Sequence, residues 1–234
     1  MNYGPLIKLL GKTGNSIKAF LFDLDGTLVD SANQIFEAVK LTRSELRFDA
    51  APAKFIHSKI GLPAKDLFED LNLQDLELSK AVDLFRSNLS KIRLSENDLY
   101  VGVPQMLRFL HEKGFKLGVA TNKPTVLAVQ SLSETGIHDY FDFIVGAENY
   151  PPKPDPTIIL KCLQFFLIEP HQATMVGDRV EDILAAKAAK VVAIGIAQGA
   201  HNEEDFLAKG ADSTFMNMSM FYQMMKEGGV IENI

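Results

Sequence analysis

The stretch AFLFDLDGTLVDS, residues 19–31, decides how the rest of this 234-residue chain is interpreted. It opens as a short apolar and aromatic run, which predicts a buried strand, and then places Asp23 and Asp25 one residue apart. Side chains at i and i+2 of an extended chain point to one side, so both carboxylates are expected to face the space beyond the strand's carboxyl end. Gly26 favours a turn there, and Thr27 adds a hydroxyl. This end of an open α/β sheet is the usual ligand crevice.

The paired carboxylates raise an electrostatic problem, because two such groups ionise together only if a cation compensates or one keeps its proton. A hard divalent ion such as Mg²⁺ takes oxygen ligands and usually retains waters and a substrate phosphate. The second carboxyl can then act as general acid and base, and an aspartate can also attack phosphorus directly. The residues alone leave a simpler alternative open, which is a strand end with solvated turn carboxylates.

Outside residues 30–98, short apolar runs alternate with helical patterns. Pro124 and Pro156 near helix starts, and Gly136 and Gly210 just beyond helix ends, support the boundaries. Strand-helix alternation predicts an α/β fold, a Rossmann-like parallel sheet with helices on both faces. The predicted strands are 17–23, 115–121, 141–146, 173–178, 190–196 and 211–216, and the predicted helices are 103–113, 124–135, 155–166, 180–189 and 202–209.

The segment directly after the first strand breaks this rhythm, because residues 30 to about 98 carry only helical patterns, at 31–46, 63–71 and 79–92. A helical insertion at this position predicts a small all-helical cap that is hinged where the chain leaves and re-enters the sheet. The predicted division is a catalytic core of residues 1–28 and 100–234 and a cap domain of residues 29–99, with hinges at about 28–31 and 98–103.

Composition narrows the class of protein. The formal charge is −6 and the Lys and Arg residues form no long run, which argues against a nucleic-acid partner. Cys162 is the single cysteine, so an intrachain disulfide is excluded and a reducing compartment is favoured. Its apolar helical surroundings predict a buried packing role. No segment approaches the ~18 apolar residues of a membrane span, and the N-terminal apolar run is too short for a signal peptide. We therefore expect a soluble cytoplasmic protein with no membrane partner.

Four motifs follow one another along the chain: FDLDGTL at 22–28, VATN at 119–122, PKPDP at 152–156 and MVGDRVEDILAAKAA at 175–189. In this order they resemble the motifs of the haloacid dehalogenase superfamily of phosphatases and phosphotransferases. The helical insertion resembles the family's type-1 cap, and GLP at 61–63 stands where that cap carries its substrate-specificity loop. LYVGVPQML and GVATNKP are typical of the phosphoglycolate phosphatase-like branch.

The resemblance implies a Mg²⁺-dependent phosphatase that acts on a small phosphorylated metabolite through an aspartyl-phosphate. It makes Asp23 the nucleophile and Asp25 the general acid and base, with the Asp25 backbone carbonyl as a metal ligand. The other implied roles are phosphate binding by Thr121, the backbone of Asn122 and Lys153, metal binding by Asp23, Asp25, Asp178 and Asp182, the last beside the metal site or acting through water, and substrate specificity at Gly61 and Leu62.

Alternatives to this interpretation stay open. A phosphomutase of the β-phosphoglucomutase type would use the same aspartyl-phosphate, although Thr27 favours hydrolysis because that branch often has a bulkier apolar residue there. A non-catalytic binding protein could retain the fold, and the chain could be a monomer or a homodimer. Arg179 stands where the family often has a small polar residue, so it could touch substrate, pair with Glu181 or point away.

The charged residues of the predicted cap do not identify the ligand that the cap would bind. His57 lies near the predicted specificity loop, where an ordinary surface position is the simpler interpretation. The basic residues that could bind a substrate carboxylate or merely solvate helices are Arg43, Arg47, Lys54, Lys59 and Lys65.

Overall fold

The computed structural model describes residues 17–227, which are built around a six-stranded sheet with the order β3-β2-β1-β4-β5-β6. All neighbouring strands are parallel. Residues 1–16 and 228–234, which the sequence assigns to the core domain, lie outside the described residues. The strands are β1 Ala19–Phe22, β2 Lys116–Thr121, β3 Phe143–Gly146, β4 Ala173–Gly177, β5 Val192–Ile196 and β6 Ser213–Phe215.

The register of the sheet sets the ends of its central strands side by side. Phe22, the last residue of β1, pairs with Val119 of β2 on one side and with Val176 of β4 on the other. The backbone N–H of Asp23 continues the ladder by donating to the Val176 carbonyl at 2.9 Å. Residues that follow these three strands therefore share one edge of the sheet, which is where the sequence places its polar motifs.

The chain between β1 and residue 98 is helical. Its apolar side chains form a separate hydrophobic cluster that includes Ile35, Phe68 and Phe85. Val29 and Leu99 pair as an antiparallel bridge, so the two segments that connect this insertion to the sheet run next to each other. The helices of the insertion are α1 Ala32–Glu45, α2 Ala53–Lys59 and α3 Asp75–Leu89, with a 3₁₀ helix at Ala64–Leu71.

Within the part of the chain that the structure describes, six further helices cover the two faces of the sheet. Phe20 and Phe22 of β1 pack into the cluster on one face, and Ala19 and Leu21 pack into the cluster on the other. This use of both sides of a strand explains why β1 is apolar throughout. The first face carries α4 Val103–Glu112, α5 Thr125–Glu134 and α9 Met218–Glu227, and the second carries α6 Thr157–Phe166, α7 Val180–Ala188 and α8 Glu203–Ala208. The predicted α/β fold with a helical insertion after the first strand is confirmed.

Some elements differ from the sequence prediction. The sequence patterns predict neither α2 nor α9, and the pattern at 63–71 forms a 3₁₀ helix instead of an α-helix. The last helical pattern of the insertion begins at Asp75, earlier than the predicted start. Within residues 17–227, every helix is too short or too polar to cross a membrane.

Candidate active site

Polar side chains converge at the carboxyl edge of the sheet. Asp23 directly follows β1, Thr121 ends β2 and Asp178 directly follows β4, while Lys153 reaches the same place from the segment between β3 and α6. Relative exposure is 1% for Asp23, 2% for Thr121, 2% for Lys153 and 3% for Asp178, so the whole group is withdrawn from solvent. Carboxylate oxygens of Asp23, Asp178 and Asp182 lie within 4.8 Å of one another. We call these three residues the carboxylate cluster.

Asp178 is held in a space that glycines keep open. The Thr27 hydroxyl donates to Asp178 Oδ1 at 2.6 Å. A Cβ at Gly26, whose φ is +90°, would collide with the Asp178 carboxylate, and a Cβ at Gly199 would lie 2.8 Å from Asp178 Oδ2. A side chain at either glycine would fill the space next to Asp178, so the sequence Asp-Gly-Thr here serves both the turn and the neighbouring carboxylate.

Lys153 connects two members of the carboxylate cluster, Asp23 and Asp182. Its Nζ lies 2.9 Å from Asp23 Oδ1 in an ion pair, donates to Asp182 Oδ1 at 2.6 Å and donates to the Ala120 carbonyl at 2.9 Å. Its backbone N–H donates to Asn122 Oδ1 at 2.9 Å. Burial alone would lower the pKa of Lys153, but the carboxylates of Asp182 and Asp23 outweigh it and raise the pKa above its ordinary value. The lysine is therefore a fixed positive charge.

The carboxylates carry more negative charge than Lys153 balances. Burial raises the pKa of Asp23 to about 6, with Lys153 opposing the rise and Asp182 adding to it. Burial also raises the pKa of Asp178 well above its usual range, and the Asp23 and Asp182 charges raise it further. Oxygen ligands that are buried, crowded and set beside a glycine-lined space fit a hard divalent cation, which would offset this excess charge.

Asp182 has a different set of contacts from the other two members of the cluster. Its Oδ1 accepts from Lys153, and its Oδ2 accepts from the backbone N–H of Arg179 at 3.0 Å. A Cβ at Gly177 would overlap the Asp182 carboxylate, so a glycine is required at the end of β4. Asp182 thus orients Lys153, and its predicted role at the metal site stays a prediction.

The side chain of Asp25 is not part of the carboxylate cluster and pairs with Lys123 instead. Lys123 Nζ donates to Asp25 Oδ1 at 2.9 Å, and both side chains are buried. Sequence reasoning missed Lys123, because a lysine after the Thr121-Asn122 pair resembles a solvated residue at a helix start. Its only sequence signal is its position two residues after a strand end that carries a predicted phosphate ligand.

A cavity of about 310 Å³ opens beside Asp25 and extends into the helical insertion. Its walls include Lys123 and Asn122 from the sheet side, and Gly61 and Leu62 from the insertion. Asn122 Nδ2 also donates to the Gly61 carbonyl at 2.9 Å. The predicted specificity residues therefore lie next to the predicted acid–base residue, in what we call the Asp25-side cavity.

A second cavity, of about 470 Å³, adjoins the other flank of the cluster and is called the Asp178-side cavity. Its walls include Asp178, Gly26 and Tyr100 from the sheet side, with His57 from α2. Arg179 also lines this cavity, and its contacts with the insertion are described below.

The basic residues of the insertion separate into two kinds. Arg43 is buried and forms a two-pronged contact with Asp70 at 3.0 Å for each pair of atoms, which ties the insertion together internally. Lys59 and Lys65 line the Asp25-side cavity, and Lys54 lines the Asp178-side cavity. The lysines, in contrast to Arg43, are placed where a ligand could meet them.

The fold and the buried carboxylate cluster define a member of the haloacid dehalogenase-like hydrolases, and the sequence comparison agrees. The model of the family "Haloacid dehalogenase-like hydrolase" matches residues 20–196, and the chain belongs to this family. The predicted resemblance is therefore confirmed.

Individual proteins are similar along most of the chain. A phosphoglycolate phosphatase of Aquifex aeolicus is 36% identical over 174 residues, which cover 74% of this chain and 81% of that protein. A phosphoglycolate phosphatase of Colwellia psychrerythraea is 32% identical over 208 residues, covering 85% and 92% of the two chains. Among solved structures, a haloacid dehalogenase-like family hydrolase from Streptococcus pneumoniae superposes with a TM-score of 0.79 at 28% identity, covering 89% of this chain and 98% of that one.

Proposed function

We propose that this hydrolase is a Mg²⁺-dependent phosphatase that releases phosphate from a small phosphorylated metabolite, through an aspartyl-phosphate on Asp23. The observation that carries the proposal is the buried carboxylate cluster around Lys153, at the edge of the sheet where β1, β2 and β4 end. Two relatives named phosphoglycolate phosphatase support phosphoglycolate as the first substrate to test.

The metal site would use Asp23, Asp178 and the backbone carbonyl of Asp25, with Asp182 beside them. When bound, a divalent cation supplies positive charge to the phosphoryl oxygens and to the crowded carboxylates. Lys153 adds a second positive charge on the side of Asp23, and Thr121 and Asn122 would hold the remaining phosphoryl oxygens. Positioning and charge stabilisation of this kind account for most of the catalysis of phosphoryl transfer.

In the first half of the reaction, a carboxylate oxygen of Asp23 attacks phosphorus and forms the aspartyl-phosphate. The bond between phosphorus and the leaving oxygen breaks, and Asp25 donates a proton to that oxygen. Lys123 supports this assignment, because it holds the Asp25 carboxyl at the mouth of the Asp25-side cavity, where the leaving group would lie.

In the second half, Asp25 is a carboxylate and takes a proton from a water molecule. The water oxygen attacks phosphorus, and the bond between phosphorus and Asp23 breaks. Inorganic phosphate leaves, Asp23 is again a carboxylate and Asp25 is again protonated. The two steps therefore restore the enzyme without any other reactant.

The predicted domain division completes the proposal. Residues 29–99 would act as a cap that covers the substrate and excludes bulk water, while residues 1–28 and 100–234 form the catalytic core. Lys59 and Lys65 are placed to meet a carboxylate on the leaving group. The cytoplasmic location, the monomeric or dimeric state and the absence of a nucleic-acid partner stay predictions.

Phosphate release from phosphoglycolate and from an aryl phosphate, each with Mg²⁺ and with a chelator, tests the proposal. We expect turnover only with Mg²⁺ and a loss of at least about a thousandfold in Asp23→Asn. Asp139→Asn, the same change at a fully exposed aspartate, is the matched control and should retain wild-type activity. Equal activity in Asp23→Asn would refute the nucleophile, and no turnover on any phosphate monoester would favour a binding protein.

A further inference from the structure

Arg179 is buried next to the carboxylate cluster, but its guanidinium group binds residues outside the cluster. The residue directly follows Asp178 and is 6% exposed. One guanidinium nitrogen, Nη1, donates to the backbone carbonyls of Ile60 at 2.8 Å and Ser58 at 3.2 Å, and Nε donates to Glu181 at 3.1 Å. Both carbonyl groups belong to the helical insertion, so Arg179 connects the end of β4 to the insertion.

The residue of the insertion that packs against Arg179 is Gly61, at a position that disfavours any side chain. Gly61 has a φ of +82°, and a Cβ at this position would lie 2.7 Å from Arg179 Cδ. The Gly61 carbonyl accepts the hydrogen bond from Asn122, which follows β2. Residues 58–61, the end of α2 and the turn after it, are here called the insertion loop. They are therefore fastened to the core by side chains that follow two of the central strands.

The insertion loop also separates the two cavities. Ile60 lines both the Asp25-side and the Asp178-side cavity, and Arg179 lines the second. The acceptors on the loop are backbone carbonyls, and hydrogen bonds from a charged donor are roughly twice as strong as neutral ones. The contact therefore fixes the position of the loop backbone independently of the side chains the loop carries.

We propose that Arg179 is a positioning residue that holds the insertion loop against the core, so that the loop walls off the Asp25-side cavity from the Asp178-side cavity. The position of the loop follows from these contacts, and the effect of that position on turnover rests on the proposed function. In turnover, this arrangement keeps the wall of the Asp25-side cavity in place, so that a larger fraction of the enzyme is ready to bind the leaving group.

Hydrogen exchange of the backbone amides in residues 58–62 tests the loop itself, without any substrate. Arg179→Met, which keeps the length and removes the donors, should speed exchange there about tenfold, and Arg179→Lys should speed it less. Arg93→Met, the same change at an exposed arginine, should leave exchange as in the wild type.

Wild-type exchange rates in Arg179→Met would overturn the proposal. A rise in exchange throughout the core, with a large fall in melting temperature, would also overturn it, because Arg179 would then serve folding alone.

Kinetics test the consequence for turnover. Loss of the closed loop lowers the fraction of binding-competent enzyme, so Arg179→Met should raise KM for an aryl phosphate about tenfold and lower kcat less. A fall in kcat with unchanged KM would contradict a positioning role. If the wild type hydrolyses no phosphate ester, the proposed function fails, while the exchange measurements still decide whether Arg179 holds the loop.

Discussion

The strand ends and the helical insertion use buried charge in opposite ways. In the insertion, the positive charge of Arg43 is balanced by the single negative charge of Asp70, with two hydrogen bonds between the side chains. At the strand ends, Lys153 faces Asp23 and Asp182 with Asp178 close by, so negative charge is left in excess. Removing one partner of a buried pair destabilises a fold because the other charge is left uncompensated, and an unbalanced buried cluster carries such a cost until a ligand completes it. The difference therefore distinguishes the proposed catalytic region from the proposed cap.

The largest effect is expected from removing Lys153. Lys153→Met takes away the fixed charge beside Asp23, so kcat/KM should fall about a hundredfold to a thousandfold. Arg43→Met, the corresponding change in the insertion, should lower the melting temperature while kcat/KM stays within about threefold. Phosphate-release kinetics and thermal denaturation of both variants check the contrast, and an equal loss of activity in Arg43→Met would break it.

Mg²⁺ should raise the thermal stability of the protein by binding at the carboxylate cluster and nowhere else. Burial raises the pKa of Asp23 to about 6, so the folded state binds this proton more tightly than the unfolded state does. Its contribution to the free energy of unfolding is full below the ordinary carboxyl pKa of 3.8 and is lost as pH rises through about 6.

A cation replaces that proton at neutral pH. Mg²⁺ at a hundredfold excess over its Kd should raise the melting temperature by about 5–10 °C at pH 7.5, and less at pH 5, where protons compete. Calorimetry with Mg²⁺ and with a chelator measures this change. Asp178→Asn should lose the response and Arg43→Met should keep it; an equal rise in both would place the metal elsewhere.

Lys123 and Lys59 sharpen the comparison within one cavity, since both line its walls. Lys123→Met frees the Asp25 carboxyl, so kcat should fall about tenfold to a hundredfold, because a poorly placed general acid loses much of its effect. Lys59→Met, on the insertion side, should mainly raise KM, by about threefold. Steady-state kinetics of the two variants give the answer, and a large kcat effect for Lys59→Met would contradict the division of roles.

The smallest effect is expected at Cys162, which belongs to neither region. The side chain is fully buried in the core, and burial raises the pKa of its thiol to about 12. A thiol reagent at pH 8 should label the unfolded chain quickly and the native protein at least about a hundredfold more slowly. Cys162→Ala should leave kcat/KM within about twofold; rapid labelling of the native protein would show that the core opens there.

The strand ends could be predicted from the sequence because their chemistry is local. Asp23 and Asp25 stand at the end of an apolar run, and Asp178 ends another, so the parallel sheet follows from the alternation and the cluster follows from the sheet. Arg179 could not be resolved in the same way. Its partners are backbone carbonyls of the insertion loop, which lies far away in the sequence, and a pattern of side chains does not predict contacts to backbone atoms.

The helical patterns predicted at 31–46 and 79–92 correspond to α1 and to most of α3, but α2 and the 3₁₀ form of the segment at 63–71 were not predicted. The short helix α2 and the 3₁₀ helix at Ala64–Leu71 are stabilised by tertiary packing around Phe68, and propensity carries little information over seven or eight residues. The same reasoning applies to α9, whose methionines and Phe221 pack against the sheet without the proline and glycine signals that mark the other helices. Lys123 was missed because its burial depends on Asp25, 98 positions away.

The paired connecting segments give the molecule a modular construction. The Asp30 backbone N–H donates to the Asp98 carbonyl at 2.8 Å, and the Tyr100 N–H donates to the Leu28 carbonyl at 3.1 Å. The insertion is therefore joined to the sheet by two adjacent segments, which are hydrogen-bonded to each other. Exchanging residues 30–98 as a block with those of a relative should therefore yield a folded chimera that keeps the phosphorus chemistry and acquires the donor's preference for leaving groups.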